Sequence, residues 1–263
     1  MKYLILRRIM QLSILTFFSF GVFNFILKGN LSPSVLFSSV PLSDPFAFIQ
    51  LALASLQVDL MALSGALIVF LFYAIFAGRA FCAWVCPVNI ITDFAYFIRN
   101  KLGFNQARVF NANKNLRYYV LAFVLIFSFL FSFPVFEEFS YIGIIQRGII
   151  FGGVSWLFVA LIIFCIDTFF SPRFTCSHFC PLGAFWALSS HFSLLKVRYN
   201  LQKCTKCYKC LRVCPEKQVL WMIGKENQDI KSGECIRCGK CIDVCGDDAL
   251  GFSIINLRRE NEK

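Results

Sequence analysis

Charge is what this 263-residue chain has least of: only 16% of its residues are Asp, Glu, Lys or Arg, and acidic residues are the scarcer kind, 15 against 26 basic. A soluble domain carries about a quarter of its residues charged. With 58% hydrophobic residues, 33 phenylalanines and a mean hydropathy of +0.66, this chain is excluded from that class and reads as a membrane protein. The C-x-x-C-H run that attaches a c-type haem is also missing, so no covalently held haem is expected. The net charge of +11 suggests nucleic acid only until the basic residues are placed relative to a bilayer. No nucleic-acid partner is expected.

Cysteine is abundant. From Cys204 the chain reads CTKCYKCLRVCP, and from Cys235 it reads CIRCGKCIDVCG. This is the run C-x2-C-x2-C-x3-C written twice. Thiolates at these spacings wrap a [4Fe–4S] cube, and in two-cluster ferredoxins the fourth cysteine of each run ligates the other cube. On that pattern Cys204, Cys207, Cys210 and Cys245 hold the first cluster, and Cys235, Cys238, Cys241 and Cys214 the second. Disulfides would need an oxidising compartment, and zinc favours paired C-x2-C knuckles. Pro215 follows the first run while Gly246 stands at the matching place in the second, which touches only the turn after Cys245. The apolar edges of this segment, KVRYNL and LGFSII, read as short strands that pair across the repeat.

Four apolar stretches are candidate membrane spans: Ile9–Leu27, Leu60–Ala77, Tyr118–Phe136 and Ile149–Phe170. Each approaches the roughly 20 residues a helix needs to cross a bilayer. The first has a rival reading as a cleaved secretory signal behind Lys2, Arg7 and Arg8, but it is longer than a usual signal core and lacks a small-residue cleavage site. Between the first two spans, Pro33, Pro41 and Pro45 mark turns. Asp44 followed by Pro45 is an N-cap and first-turn pair for a short helix, FAFIQLALASL, too short to span. That helix is either a plug for the bundle or a cover over a lipid-soluble substrate. A basic amphipathic segment with Arg99, Lys101, Arg108, Lys114 and Arg117 precedes the third span. If the N-terminus is inside, all the basic residues except Lys28 and Arg147 lie on the inner face, as the positive-inside rule requires. Both termini, and the cysteine-rich segment with them, are then cytoplasmic.

The spans form an internal repeat. R-x-x-C-x3-C-P occurs as Arg79, Cys82, Cys86, Pro87 and again as Arg173, Cys176, Cys180, Pro181. Each proline suits the first position of a new helix, which would put Cys86 and Cys180 at helix N-termini, with Arg79 and Arg173 nearby to favour the thiolate. Cys82, Cys86, Cys176 and Cys180 are candidates for a further metal centre, redox-active thiols or a docking surface, or are simply buried small residues. Cys165 reads as a structural cysteine. His178 has Trp84 at its matching place, so it is not assigned. Acids at membrane depth are functional candidates by default. Here they are Asp44, Asp59, Glu137, Glu138 and Asp167, the last also readable as a partner for Arg173.

The expected architecture is an α-helical membrane protein: four transmembrane helices in two pseudo-repeated pairs over residues 1–195, and a small α+β two-cluster bacterial ferredoxin-like domain over 196–263. GRAFCAWVCPVN, PRFTCSHFCPLG and the double cysteine run together resemble the NapH family, the ferredoxin-type membrane component of quinol dehydrogenases, along essentially the whole chain. The same architecture is similar to the membrane part of NosR and to CcoG-type proteins, whose large extra-membrane domains this sequence lacks. The NapH resemblance implies an inner-membrane oxidoreductase subunit with two [4Fe–4S] clusters, taking electrons from membrane quinol. They would pass through a partner iron–sulfur subunit of the NapG kind toward periplasmic nitrate reductase, with Asp167, Glu137 or Glu138 as proton acceptor. The other relatives imply a metal-reducing or maturation factor, and a redox-sensing membrane anchor is the non-enzymatic alternative. The clusters face inward while that acceptor lies outside a core of about 30 Å.

Overall fold

The structure is a computed structural model that describes residues 2–20, 27–29, 32–36, 40–103 and 113–254. Arg108 and residues 21–26, where the first expected span ends, lie outside the described residues. The chain forms two compact units. One gathers Met1–Met10, Phe72–Val85 and Trp186–Lys263, and the other Gln11–Leu71 and Cys86–Phe185. The unit around the cysteine runs is thus larger than residues 196–263.

The second unit is mainly helical. Its longer helices are the remainder of Lys2–Phe20, then Pro45–Ser55, Leu60–Leu71, Val88–Lys101, Leu116–Leu130, Tyr141–Phe151 and Ser155–Phe169. Asp44 caps Pro45–Ser55 as its sequence predicts, accepting from the Phe46 N–H at 3.1 Å, and the helix stops at Leu56 in a left-handed conformation. Phe46 is buried between Phe136 and Phe185, each ring centroid 5.6 Å away. The buried Gln50 carboxamide oxygen accepts from the Phe136 N–H at 2.9 Å.

The proline turns expected before this helix are instead a three-stranded antiparallel sheet, Leu27–Gly29, Pro33–Leu36 and Val40–Ser43, in sequential order. Proline is compatible with it because Pro33 is the first residue of its strand and Pro41 lies on an edge strand, where no ladder donor is required.

The expected spans are also broken. Among the described residues no single helix is long and apolar enough to cross a membrane, although Leu60–Phe76 and Gly78–Trp84, a bent pair, together have the length and composition. The third expected span breaks after Leu130, because Ser132 turns left-handed and Pro134 disfavours helix at the residue before it, and a short helix, Val135–Phe139, follows. The fourth is split at Gly152, whose φ of +79° caps Tyr141–Phe151 before Ser155–Phe169 begins.

In the first unit, Leu195–Tyr199 and Leu250–Ile254 pair antiparallel, Val197 opposite Phe252. These are the two apolar edges expected to pair. They cover a core of Val197, Tyr199, Val219, Leu220, Met222, Ile223, Ile230 and Leu250. Short helices, Lys209–Val213 and Lys240–Asp243, follow at equivalent points of the two cysteine runs. Trp186 is buried against Tyr73 and Phe81, at 5.0 and 6.1 Å between ring centroids. The backbone N–H of Leu194 donates to the Ile75 carbonyl at 2.7 Å. Such contacts fold residues 72–85 into the cysteine-rich unit.

Candidate metal centres

The two cysteine runs share one backbone shape. Lys206 and Arg237, at the same place in each run, have φ of 57° and 50°, and Tyr208 and Gly239 have 54° and 72°. Three of these four left-handed positions carry side chains, where glycine would be the unstrained choice. The turn bends each loop back on itself, so that the Lys206 N–H approaches the Cys204 sulfur at 3.4 Å. Backbone donors aimed at sulfur are what tune an iron–sulfur centre.

Two cavities result. One is lined by Cys204, Cys207, Cys210 and Cys245 together with Tyr199 and Leu250, and the other by Cys214, Cys235, Cys238 and Cys241 together with Val219 and Ile230. The fourth cysteine of each run therefore stands with the first three of the other. Among the described residues no three Cys, His, Asp or Glu close on a point as ligands of one ion would. Each cavity is lined instead by four cysteines, a donor set that fits an iron–sulfur cube. Burial and neighbouring sulfurs push the thiols of Cys210, Cys214, Cys235 and Cys241 upward, so binding iron as thiolates entails releasing their protons.

Buried arginines surround the second cavity. Arg237 is 2% exposed and donates to the carbonyls of Leu195, Cys235 and Ser190. Arg79 pairs with the buried Glu216 at 3.3 Å and donates to the Glu234 carbonyl at 3.0 Å. Arg7 is fully buried within electrostatic reach of Cys238 and Asp243. Asp243 in turn caps the helix Lys2–Phe20, accepting from the N–H groups of Tyr3 and Leu4 at 3.1 and 3.0 Å. Sequence reasoning missed Arg7 and Arg237. The replacement of Tyr208 by Gly239 at the same loop position was the available signal, because a side chain at Gly239 would meet the Tyr3 ring.

Comparison with known proteins agrees with this geometry. Residues 196–246 match the family described as a 4Fe-4S dicluster domain, and residues 58–105 and 153–200 each match the one described as a 4Fe-4S binding domain. The chain is 37% identical to the ferredoxin-type protein NapH of Haemophilus influenzae, over 96% of its own length and 90% of the relative's. It is 39% identical to the methylamine utilization ferredoxin-type protein MauN of Paracoccus denitrificans, over 89% of its length and 84% of the relative's. It belongs to the NapH/MauN family of ferredoxin-type proteins. NapH of Escherichia coli is 34% identical over 95% of the chain and 88% of the relative. No solved structure matches.

The two 4Fe-4S binding matches in this NapH/MauN family member each carry one C-x3-C-P copy, but the copies differ in local structure. Phe81–Trp84 is an α-helical turn, whereas Thr175–Phe179 is π-helical. Pro181 starts its helix as expected, and Cys180 at that N-terminus accepts the Gly183 N–H at 3.3 Å. Cys86, Cys176 and Cys180 share surroundings in the helical unit, all within electrostatic reach of the Tyr141 hydroxyl. Cys82 belongs to the other unit, where it and Trp84 pack against Ala83, Ile236 and Cys238.

The matching arginines diverge as well. Arg79 serves Glu216, while Arg173 is ion-paired with Asp93. Asp167 is therefore not drawn to Arg173 but accepts from the Thr175 N–H and hydroxyl at 3.1 and 3.0 Å. His178 is buried, stacked on Phe174 at 5.3 Å, and Cys165 is half-buried in Ser155–Phe169.

Of the remaining acids, Asp59 accepts from the Met61 N–H at 3.0 Å and Glu138 is exposed. Glu137 accepts from the Ser32 hydroxyl at 2.6 Å and pairs with Arg147 at 3.4 Å. Burial pushes the Glu137 carboxyl up, and it pushes that of Asp44 to about 7, with Glu137 adding to the effect.

Proposed function

We propose that this protein is a membrane-embedded relay that accepts electrons from quinol and passes them singly through two [4Fe–4S] clusters, one held by Cys204, Cys207, Cys210 and Cys245, the other by Cys214, Cys235, Cys238 and Cys241. The observation that carries this reading is the pair of cavities, each lined by four sulfurs drawn from both runs. Bound clusters supply one-electron chemistry, which two adjacent centres need in order to take the two electrons of a quinol one at a time.

The chain's own residues supply the rest. Arg79 and Arg237 set positive charge beside Cys235, and Arg7 does so beside Cys238, which favours added negative charge there. Asp44 is an acid that holds its proton to about pH 7, and burial pushes the Glu137 carboxyl upward as well. Glu137, half-buried, is a candidate to take protons from quinol, alongside the exposed Glu138 and the buried Asp167.

Membrane embedding is supported by the composition and by apolar side chains that the short helices leave uncovered, among them Phe123, Phe129, Leu157, Phe158 and Leu161, while four spans with both termini cytoplasmic rest on the apolar stretches and the placement of the basic residues in the sequence. An apolar surface of this kind calls for lipid rather than water. The relatives include proteins named for methylamine utilization as well as NapH. What their names share is the description ferredoxin-type, which fits a relay, and delivery through a NapG-like iron–sulfur partner to periplasmic nitrate reductase is the NapH branch of this reading.

The grouping of Cys86, Cys176 and Cys180 favours a second reading, a metal-reducing or maturation factor of the NosR or CcoG kind whose working groups are these thiols. One experiment separates the two. Menaquinol or ubiquinol analogues should reduce the clusters in purified protein, and a head-group inhibitor should block this. Clusters that no quinol reduces, in protein whose membrane-side thiols bind metal, would replace the first reading by the second.

A further inference from the structure

The two cysteine loops have one backbone and two opposite surroundings. In the second loop Ile236 packs against Ala83, Arg237 is buried among carbonyls, Gly239 lies under the Tyr3 ring and Asp243 caps a helix. The chain itself covers that loop. In the first loop the matching residues, Thr205, Lys206 and Tyr208, are exposed, together with Lys203 and Lys209. Cys207 alone of the eight cysteines is exposed. Electron transfer falls off steeply with distance, so exchange with a separate protein takes place where a centre comes closest to the surface, and that is here.

Resting on the two-cluster reading above, we propose that this first loop is the docking face for a redox partner protein whose own centre is ringed by acidic residues. Lys203, Lys206, Lys209 and Arg212 stand exposed around Cys207, with the half-exposed ring of Tyr208 among them. The nearby acids are Asp247, held by the Thr205 N–H and hydroxyl, and Asp248. An aromatic contact inside a cationic rim suits a small, transient interface that is steered by charge. The covered loop is left as the inner centre, beside Cys82 and Trp84. An electron leaving by the outer loop oxidises one cluster by one electron and reduces the partner's centre by one, with no bond made or broken.

The test uses the full-length, cluster-loaded protein in discs of zwitterionic lipid. The probe is a small acidic ferredoxin with gallium in place of iron, so that binding is read without electron transfer. Affinity should fall about tenfold or more between about 50 and about 300 mM salt. Lys203→Glu combined with Lys209→Glu should weaken binding about tenfold at low salt with unchanged iron content, and Lys231→Glu should stay within about twofold. Lysine acetylation read by mass spectrometry should show the probe protecting Lys203, Lys206 and Lys209. Unchanged affinity in the double variant, or a footprint elsewhere, would overturn the proposal. Protection of the same lysines by phosphatidylglycerol discs alone, with loss of probe binding, would give the patch to lipid and equally overturn it. Quinol that fails to reduce the clusters while the probe still binds removes the quinol reading and leaves the docking face standing.

Discussion

The Trp84 indole N–H donates to the Arg237 carbonyl at 3.0 Å, so the turn of the first C-x3-C-P copy and the second cysteine loop share a hydrogen bond. Trp84→Phe keeps the ring and removes the donor. The loss should cost about 1 kcal/mol and shift the paramagnetic spectrum of the reduced cluster at Cys235, Cys238 and Cys241, with iron content unchanged. An unaltered spectrum would show that this bond does not reach the cluster.

Gly78 has a φ of +53°, and a side chain there would collide with the Arg237 guanidinium and the Ser190 side chain. Gly78→Ala should therefore lower the melting temperature and release iron sooner on heating. Gly246→Ala, with nothing near its added carbon, serves as the contrast. Equal stability of the two variants would contradict the packing described for Arg237.

Cys214 lines the cavity of the second run although it belongs to the first. Cys214→Ser should damage the cluster at Cys235, Cys238 and Cys241 and leave the other largely intact, lowering iron from about eight per chain toward about four. Loss of the exposed cluster first would reverse the pairing.

Asp44 holds its proton to about pH 7, chiefly through burial, with Glu137 nearby. Between the ordinary carboxylate value and about 7 the folded chain keeps a proton that the unfolded chain has released, so stability declines as pH rises through this window and levels off above it. Asp44→Asn retains a good helix cap and should flatten the decline in melting temperature from about pH 5 to about pH 7. Parallel profiles for the two proteins would show that another group is responsible.

The double C-x2-C-x2-C-x3-C run could be read ahead of the structure because its spacing is a local property, and the Asp44–Pro45 helix start for the same reason. Residues 27–43 could not, since proline signals a turn and a strand edge with the same letter. The fates of Arg79 and Arg173 were equally closed to the sequence. Their motifs are alike, but Glu216 and Asp93 lie far away along the chain in different directions. The breaks at Gly152 and Pro134 were written in the sequence and were outweighed by the apolar residues around them.

Lys206, Tyr208 and Arg237 keep left-handed backbone angles despite carrying side chains, at a cost of about 1 kcal/mol or more each. A bound cluster at the centre of each loop would offset that cost. Loops that take shape with their cargo would give the birth of the protein an order: the helical unit first, the cysteine segment when iron arrives. In iron-starved cells the chain should persist with residues 204–245 open to proteases, a half-finished protein waiting for its metal.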